Sequence, residues 1–245
     1  MVQGHRKMIK HVLFDFDGTI ADTSEGIVKC MHYAFDALGI DRTTDEAIRR
    51  IIGPPLEEMF QELLSTDDRR RIDRSVKLFR ERYANEGIRE MALYDDMRGV
   101  LYELAEKGLQ LYIATSKPER FVREICEEHE LDKLFVDISG VTVSGKSKSK
   151  SLRIGDLKEK YSMLSDEAVM VGDRAEDVEA AKNNGLECIG VLYGFGAKRD
   201  LNKAGCRYYA ASATELVERI EELSVYRALG EDYEMGNRRS CKRAD

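Results

Sequence analysis

The stretch VLFDFDGTIADT, residues 12–23, decides how the chain is read. Its first half alternates two carboxylates, Asp15 and Asp17, with the aromatic residues Phe14 and Phe16, and then reaches Gly18. Side chains alternate across a strand, so Asp15 and Asp17 project to one side of it. Gly18 and the cap-forming residues behind it turn the chain into a loop, which leaves both carboxylates where a strand ends. In an open parallel sheet, the carboxyl ends of the strands are where ligands bind. Taken alone, the pair is equally readable as an acidic strand exit facing solvent, and the rest of the chain has to separate the two readings.

Strand signals recur as short apolar runs: HVLFDF at 11–16, LQLYIAT at 109–115, AVMVGD at 168–173 and ECIGVLY at 187–193. Helical periods lie between the later ones. The segment 97–108 places Val100, Leu101, Leu104 and Ala105 on one face, and 120–131 does the same with Phe121, Ile125 and Cys126. Strands alternating with helices of this length predict an α/β fold, a Rossmann-like, mostly parallel sheet covered on both faces. Residues 24–90 break the rhythm, because they read as helices with no strand among them. Ile27, Met31, Ala34 and Leu38 form one apolar face there, with Asp22 and Glu25 spaced to cap its start. The expected organisation is a core of residues 8–22 and 91–223 and an inserted all-helical cap at 23–90. The sheet resumes near MALYDDMRGV at 91–100, ATELVERIEEL forms a last amphipathic helix, and 224–245 is a loosely held tail.

Composition narrows the function. The 245 residues suffice for one large domain or two small ones, and a formal net charge of −7 argues against nonspecific nucleic-acid binding. Cys30, Cys126, Cys188, Cys206 and Cys241 form no CxxC pair and have no histidines at finger spacing, so reduced thiols and no structural zinc are expected. No apolar run reaches the roughly 20 residues of a membrane span. The expectation is a soluble, cytoplasmic protein.

Three more segments carry chemistry. LYIATSKP ends an apolar run in Thr115 and Ser116, hydroxyls that can donate to a phosphoryl oxygen, although such residues also serve as helix caps. SGKSKSKSL offers Lys146, Lys148 and Lys150, any of which can neutralise a carboxylate and hold a phosphoryl oxygen, or simply face solvent. VMVGDRAEDVEAAKNNG presents Asp173 and Asp177 four residues apart, stacked if a helix begins between them. Two acidic clusters at two strand ends make an oxygen cage suited to Mg2+, whereas zinc would call for His or Cys.

Taken in order, these four segments resemble the motifs of the haloacid dehalogenase superfamily, in particular its phosphoglycolate phosphatase-like members with a helical cap. The resemblance covers about residues 10–223: DxDGT at Asp15, Asp17, Gly18 and Thr19, then Thr115, then a lysine, then GDRAED. It implies that Asp15 is the nucleophile that takes the phosphoryl group and that Asp17 protonates the leaving oxygen and then activates water. Thr115 would hold the phosphoryl group, with Gly18, Thr19 and Ser116 beside it. Mg2+ would rest on the Asp15 carboxylate, the Asp17 carbonyl and Asp173, supported by Asp177. The lysine region departs from the family's usual proline-containing form; Lys150, four residues before Ile154, fits best and Lys148 second. IGPPLEEMF resembles the subgroup's cap segment, where Arg50 or Arg49 would meet a substrate carboxylate, and an exposed charge run is the competing reading. The implied partner is a small phosphorylated metabolite, phosphoglycolate first, then a nucleotide, a sugar phosphate or pyrophosphate. A β-phosphoglucomutase-like mutase and a non-catalytic binding protein are the alternatives. No nucleic acid or membrane is expected, and a homodimer is left open.

Overall fold

His11–Phe14, the strand before the two aspartates, is buried along its whole length, and its side chains go alternately to opposite sides of the sheet. Val12 and Phe14 join a large core, while Leu13 joins a second one with Tyr112, Ala114, Ile154 and Met170. Burial on both faces is why the run is continuously apolar rather than alternating with polar residues. Each of its three large apolar side chains contributes about 1.5–3 kcal/mol.

The computed structural model describes residues 8–142 and 148–229. In chain order, β1 (His11–Phe14) is followed by the short β2 (Ala21–Asp22) and by α1 (Ser24–Leu38), α2 (Asp45–Arg50), α3 (Leu56–Leu64) and α4 (Arg69–Asn85). The chain returns through β3 (Ala92–Leu93) to α5 (Met97–Glu106), β4 (Gln110–Pro118), α6 (Glu119–Glu128), β5 (Phe135–Val141) and α7 (Lys150–Lys160). It closes with β6 (Ala168–Gly172), α8 (Ala175–Asn183), β7 (Glu187–Val191), α9 (Lys198–Ala204), β8 (Tyr208–Ala210) and α10 (Thr214–Leu229).

Six strands form one parallel sheet in the order β5-β4-β1-β6-β7-β8. The parallel Rossmann-like sheet and the helical cap predicted from the sequence are both present. β1 sits in the middle, with Phe14 level with Ile113 of β4 and Val171 of β6. The register brings the segments after these strands, and with them Asp15, Thr115 and Asp173, to one end of the sheet. The order changes direction at β1, which is the kind of switch point where open α/β sheets form crevices.

Some expectations need correction. Ala92–Leu93 does not resume the main sheet; it pairs antiparallel with Ala21–Asp22, so the two connections into the insertion are stitched to each other. β5 and β8 are additional strands. Phe135–Val141 is broken by Asp137, Ser139 and Gly140, and Tyr208–Ala210 is only three residues long, so neither has a clear apolar signature. Asp22 and Glu25 make no capping box: α1 starts at Ser24, whose N–H donates to Asp22 Oδ1 at 2.9 Å. The last helix continues past residue 223 to Leu229, and 230–245, like Lys146, lies outside the described residues. Cys30, Cys126, Cys188 and Cys206 are buried and free. Among the described residues, no helix is long and apolar enough to cross a membrane.

The insertion is fastened to the sheet by aromatic packing. Phe35 of α1, Phe60 of α3 and Phe79 of α4 meet edge to face with centroids 6.2 Å apart at each step. Phe79 stacks on Tyr83 at 5.6 Å, and Tyr83 meets Phe121 of α6 at 5.2 Å. Such ring pairs add about 0.5–1.5 kcal/mol each beyond burial. The two connections approach closely at Gly26, whose N–H donates to the Glu90 carbonyl at 2.9 Å. A Cβ at Gly26 would lie 2.2 Å from the Gly87 carbonyl oxygen, a backbone atom with no freedom to step aside. Gly26→Ala is therefore expected to cost about 2–3 kcal/mol, seen as a lower urea midpoint with an unchanged slope. A midpoint equal to the parent's would show that the connections do not need this approach.

Candidate active site

Asp15 extends β1 by one residue: its N–H donates to the Val171 carbonyl at 2.9 Å, continuing the ladder to β6. Its side chain is almost fully buried, with Oδ1 accepting the Phe16 N–H at 2.8 Å and Oδ2 accepting from Lys150 Nζ at 2.7 Å. The same ammonium donates to Asp177 Oδ1 at 2.6 Å, and Asp177 Oδ2 accepts the Arg174 N–H at 2.9 Å. Lys150 opens α7 and Asp177 lies in the first turn of α8, so helix starts on either side of β6 deliver the two groups. The four-residue spacing of Asp173 and Asp177 does bridge a helix start, at Ala175.

Asp173 Oδ2 accepts the N–H groups of Phe195 and Gly196 at 2.8 and 3.1 Å, and Thr19 Oγ1 lies 3.4 Å from Asp173 Oδ1. Three glycines make this close packing possible. Gly18 adopts the left-handed conformation (φ 81°), and a Cβ there would lie 2.5 Å from Asp173 Oδ2. Gly194 and Gly196 close over Asp173 in the same way. One oxygen from each of Asp15, Asp173 and Asp177 lies within 4.8 Å of the others, forming a buried carboxylate cluster among the described residues.

Its electrostatics explain its chemistry. Burial pushes Asp173 up to about 6, with Asp15 adding like-charge repulsion. Burial likewise pushes Asp177 up to about 7, against the pull of Lys150. Lys150 is held above its ordinary value by Asp15 and Asp177 despite a burial that alone would lower it. Lys150 and the Arg174 guanidinium, whose Nε lies 3.9 Å from Asp173 Oδ2, face three buried carboxylates, which leaves negative charge in excess. The donors are all hard oxygens and no His or Cys belongs to the cluster. This set fits a divalent cation of the magnesium type far better than zinc.

Asp17 stands apart from the cluster. Its carboxylate is part-exposed and is held by Lys117, whose Nζ lies 2.9 Å from Oδ1 and 3.3 Å from Oδ2. The sequence assigns Lys117 no role, because it simply follows the hydroxyls of Thr115 and Ser116. Its immediate neighbours, Ser116, Pro118 and Glu119, carry no apolar pattern that would mark it for burial. Thr115 is buried, with Oγ1 accepting the Lys117 N–H at 3.2 Å, and Ser116 beside it is half-buried. Thr115 caps no helix, since α6 starts four residues later at Glu119.

Lys150, not Lys148, meets the carboxylates; Lys148 is exposed and pairs with Asp156. Arg50 is not brought to the cluster either. Its guanidinium is exposed beside Glu46 at 3.2 Å, as expected of a solvated charge run. Its carbonyl accepts from Arg174 Nη1 at 3.1 Å, which ties the cap segment to the residue next to Asp173. A Cβ at Gly53 would lie 3.1 Å from Arg174 Nε, so the IGPP turn rests directly on that side chain. Arg49, Arg50, Asp22, Tyr94, Tyr193, Gly194 and Phe195 line a cleft of about 400 Å³. Gly194 in this lining packs against Asp173, and Tyr193 OH donates to the Thr19 carbonyl at 3.1 Å.

Comparison with known proteins places this geometry. Residues 12–191 match the haloacid dehalogenase-like hydrolase family. A 5'-nucleotidase of Pseudomonas aeruginosa is 35% identical over 86% of this chain and 95% of its own length. A phosphoglycolate phosphatase of Vibrio parahaemolyticus is 31% identical over 86% of this chain and 95% of its own. The crystal structure of a predicted phosphatase from Clostridium acetobutylicum superposes with a TM-score of 0.82 at 35% identity, covering 88% of this chain and 99% of that one. With the motifs in order, the cap inserted after the first strand and the carboxylates gathered at the sheet's end, this chain belongs to the haloacid dehalogenase-like hydrolases.

Proposed function

We propose that this protein is a magnesium-dependent phosphomonoesterase that works through a phosphoryl group carried on Asp15. The observation that carries the reading is the division between the two aspartates. Asp15 is buried in the carboxylate cluster and shares Lys150 with Asp177, whereas Asp17 lies outside it on a lysine of its own. Groups with such different surroundings suit different tasks. An Asp15 oxygen attacks phosphorus, the bond from phosphorus to the ester oxygen breaks, and Asp17 gives its proton to the departing oxygen. Water then attacks the same phosphorus, Asp17 takes its proton, and Asp15 is released with inorganic phosphate.

Thr115, with the Gly18 and Thr19 turn and Ser116 beside it, borders the space for the phosphoryl oxygens, and Lys150 balances charge at Asp15. Mg2+ would be held by the carboxylates of Asp15, Asp173 and Asp177 and by the Asp17 carbonyl. When bound, it supplies charge neutralisation between Asp15 and an anionic phosphate.

The leaving group belongs in the cleft beside Gly194. Phosphoglycolate fits the reading in which Arg49 or Arg50 meets a carboxylate. A nucleoside monophosphate is the second reading, favoured by the volume of about 400 Å³ and by three aromatic side chains, Tyr94, Tyr193 and Phe195. Phosphate release from phosphoglycolate, nucleoside monophosphates, sugar phosphates and pyrophosphate, with and without Mg2+, tests both. Turnover is expected only with Mg2+ and is expected to fall at least about 10³-fold in Asp15→Asn. A folded, Mg2+-binding parent that releases no phosphate would refute the enzyme reading. A marked preference for nucleotides would replace phosphoglycolate.

The cluster also predicts how stability depends on pH. An aspartate whose folded pKa is raised binds its proton more tightly in the folded state. In metal-free protein, stability from Asp173 and Asp177 is therefore lost as pH rises from the ordinary aspartate value of 3.8 through about 6 and about 7. Saturating Mg2+ is expected to reverse the trend, raising the melting temperature more at pH 7.5 than at pH 5. The same Mg2+ shift at both values would show that these carboxylates do not hold the ion.

A further inference from the structure

Lys117 has a second partner, and it comes from the cap. Its Nζ donates to Tyr83 OH at 2.6 Å, while on the other side it grips both oxygens of Asp17. The ammonium also lies 4.8 Å from the Tyr83 ring centroid and 5.9 Å from that of Phe16. The Lys117 and Tyr83 side chains are both almost fully buried, whereas the Asp17 carboxylate keeps partial exposure. Burial alone would lower the affinity of Lys117 for its proton; Asp17 and Tyr83 hold it above its ordinary value. A desolvated ammonium is costly unless paired, so this one is tied to the only carboxylate within its reach among the described contacts.

Tyr83 is itself rigidly placed. It stacks on Phe79, packs against Phe121, and stands so close to Gly87 that a Cβ there would lie 2.9 Å from Tyr83 Cδ2. Its hydroxyl is thus a fixed point supplied by α4, and Lys117 spans from it to Asp17. A carboxylate next to a glycine turn has rotational freedom, and two contacts to one ammonium remove it.

We infer that Lys117 and Tyr83 are positioning residues for Asp17, holding its carboxylate in the orientation from which it activates water, and that the cap thereby contributes to a step carried out on the core. The inference rests on the phosphomonoesterase reading. In the step concerned, water oxygen bonds to phosphorus, the bond from phosphorus to Asp15 breaks, and the water proton passes to Asp17. The first step on p-nitrophenyl phosphate makes little use of Asp17, because nitrophenolate departs without a proton. The two halves of the cycle therefore report separately.

The experiment is rapid-mixing kinetics with p-nitrophenyl phosphate and Mg2+, comparing the parent with Lys117→Met and Tyr83→Phe. Far-ultraviolet circular dichroism and the melting temperature are recorded for each. In K117M, nitrophenolate is expected in a burst whose rate stays within about 3-fold of the parent's first turnover, with steady-state turnover reduced about 100-fold, the scale of general acid–base contributions. Phosphoenzyme should accumulate on Asp15 in proportion to the burst. Y83F keeps the ring and its packing and loses only the hydroxyl, so it is expected to show the same split at about 3- to 10-fold.

Equal slowing of burst and steady state in Y83F, or in a folded K117M, would overturn the inference, since a general structural role moves both phases together. Unchanged turnover in both variants would overturn it as well. If K117M fails to fold, Y83F alone decides. Absence of turnover in the parent would instead refute the enzyme reading, so the two failures are distinguishable.

Discussion

The parallel register of β1 and β6 delivers acidic residues to one end of the sheet, and the structure depends on how that buried negative charge is balanced. Carboxylates withdrawn from water are stable only when paired, hydrogen-bonded or neutralised by a cation. Lys150 reaches from the start of α7 to two of them, and backbone N–H groups of Phe16, Arg174, Phe195 and Gly196 satisfy further oxygens. The remaining excess is what suits the cluster to a divalent cation and sets it apart from a self-contained salt bridge. The glycines around it follow from the same constraint, because backbone donors reach Asp173 only where no side chain intervenes.

The helical insertion meets this centre at two places of different chemistry. On one side, the IGPP turn rests on Arg174, which donates to the Arg50 carbonyl. On the other, the aromatic run from Phe35 to Phe121 seats α4 so that Tyr83 meets Lys117. Both contacts end on a basic residue next to, or bound to, a motif aspartate. The cap therefore bears on the groups around the carboxylate cluster as well as on the cleft that Arg49 and Arg50 line.

Family membership and substrate rest on different residues. The match over residues 12–191 and the shared fold place this chain in the family, and a shared fold leaves the leaving group open. The cleft is lined by Tyr94 and Tyr193, whose ring centroids lie 4.7 Å apart, and by Arg49 and Arg50 from the cap. These are loop and helix-end positions, whose identity can change without disturbing the strands behind them.

The sequence by itself determined the parallel core, the helical insertion and the acidic residues of the centre. Those features are written in local periodicity: continuous apolar runs for strands buried on both faces, 3.6-residue periods for helices, and glycines where strands end. The resemblance to the family's motif, with its lysine about four residues ahead of an inward-facing aliphatic residue, also favoured Lys150 over Lys148. What the sequence left undetermined depends on distance in space. β5 and β8 lack an apolar alternation of their own and are strands because β4 and β7 offer them edges. Arg50 reads either as a contact for a substrate carboxylate or as part of an exposed charge run; its guanidinium lies exposed beside Glu46, and its carbonyl makes the contact to Arg174. Lys117 has no role assigned by the sequence and became the partner of Asp17, 100 residues away, only when β4 lay beside β1 and α4 brought Tyr83 over both. Charge pairing across a parallel sheet joins residues that crossovers keep far apart in the chain, so no local pattern records it and only the tertiary structure decides it.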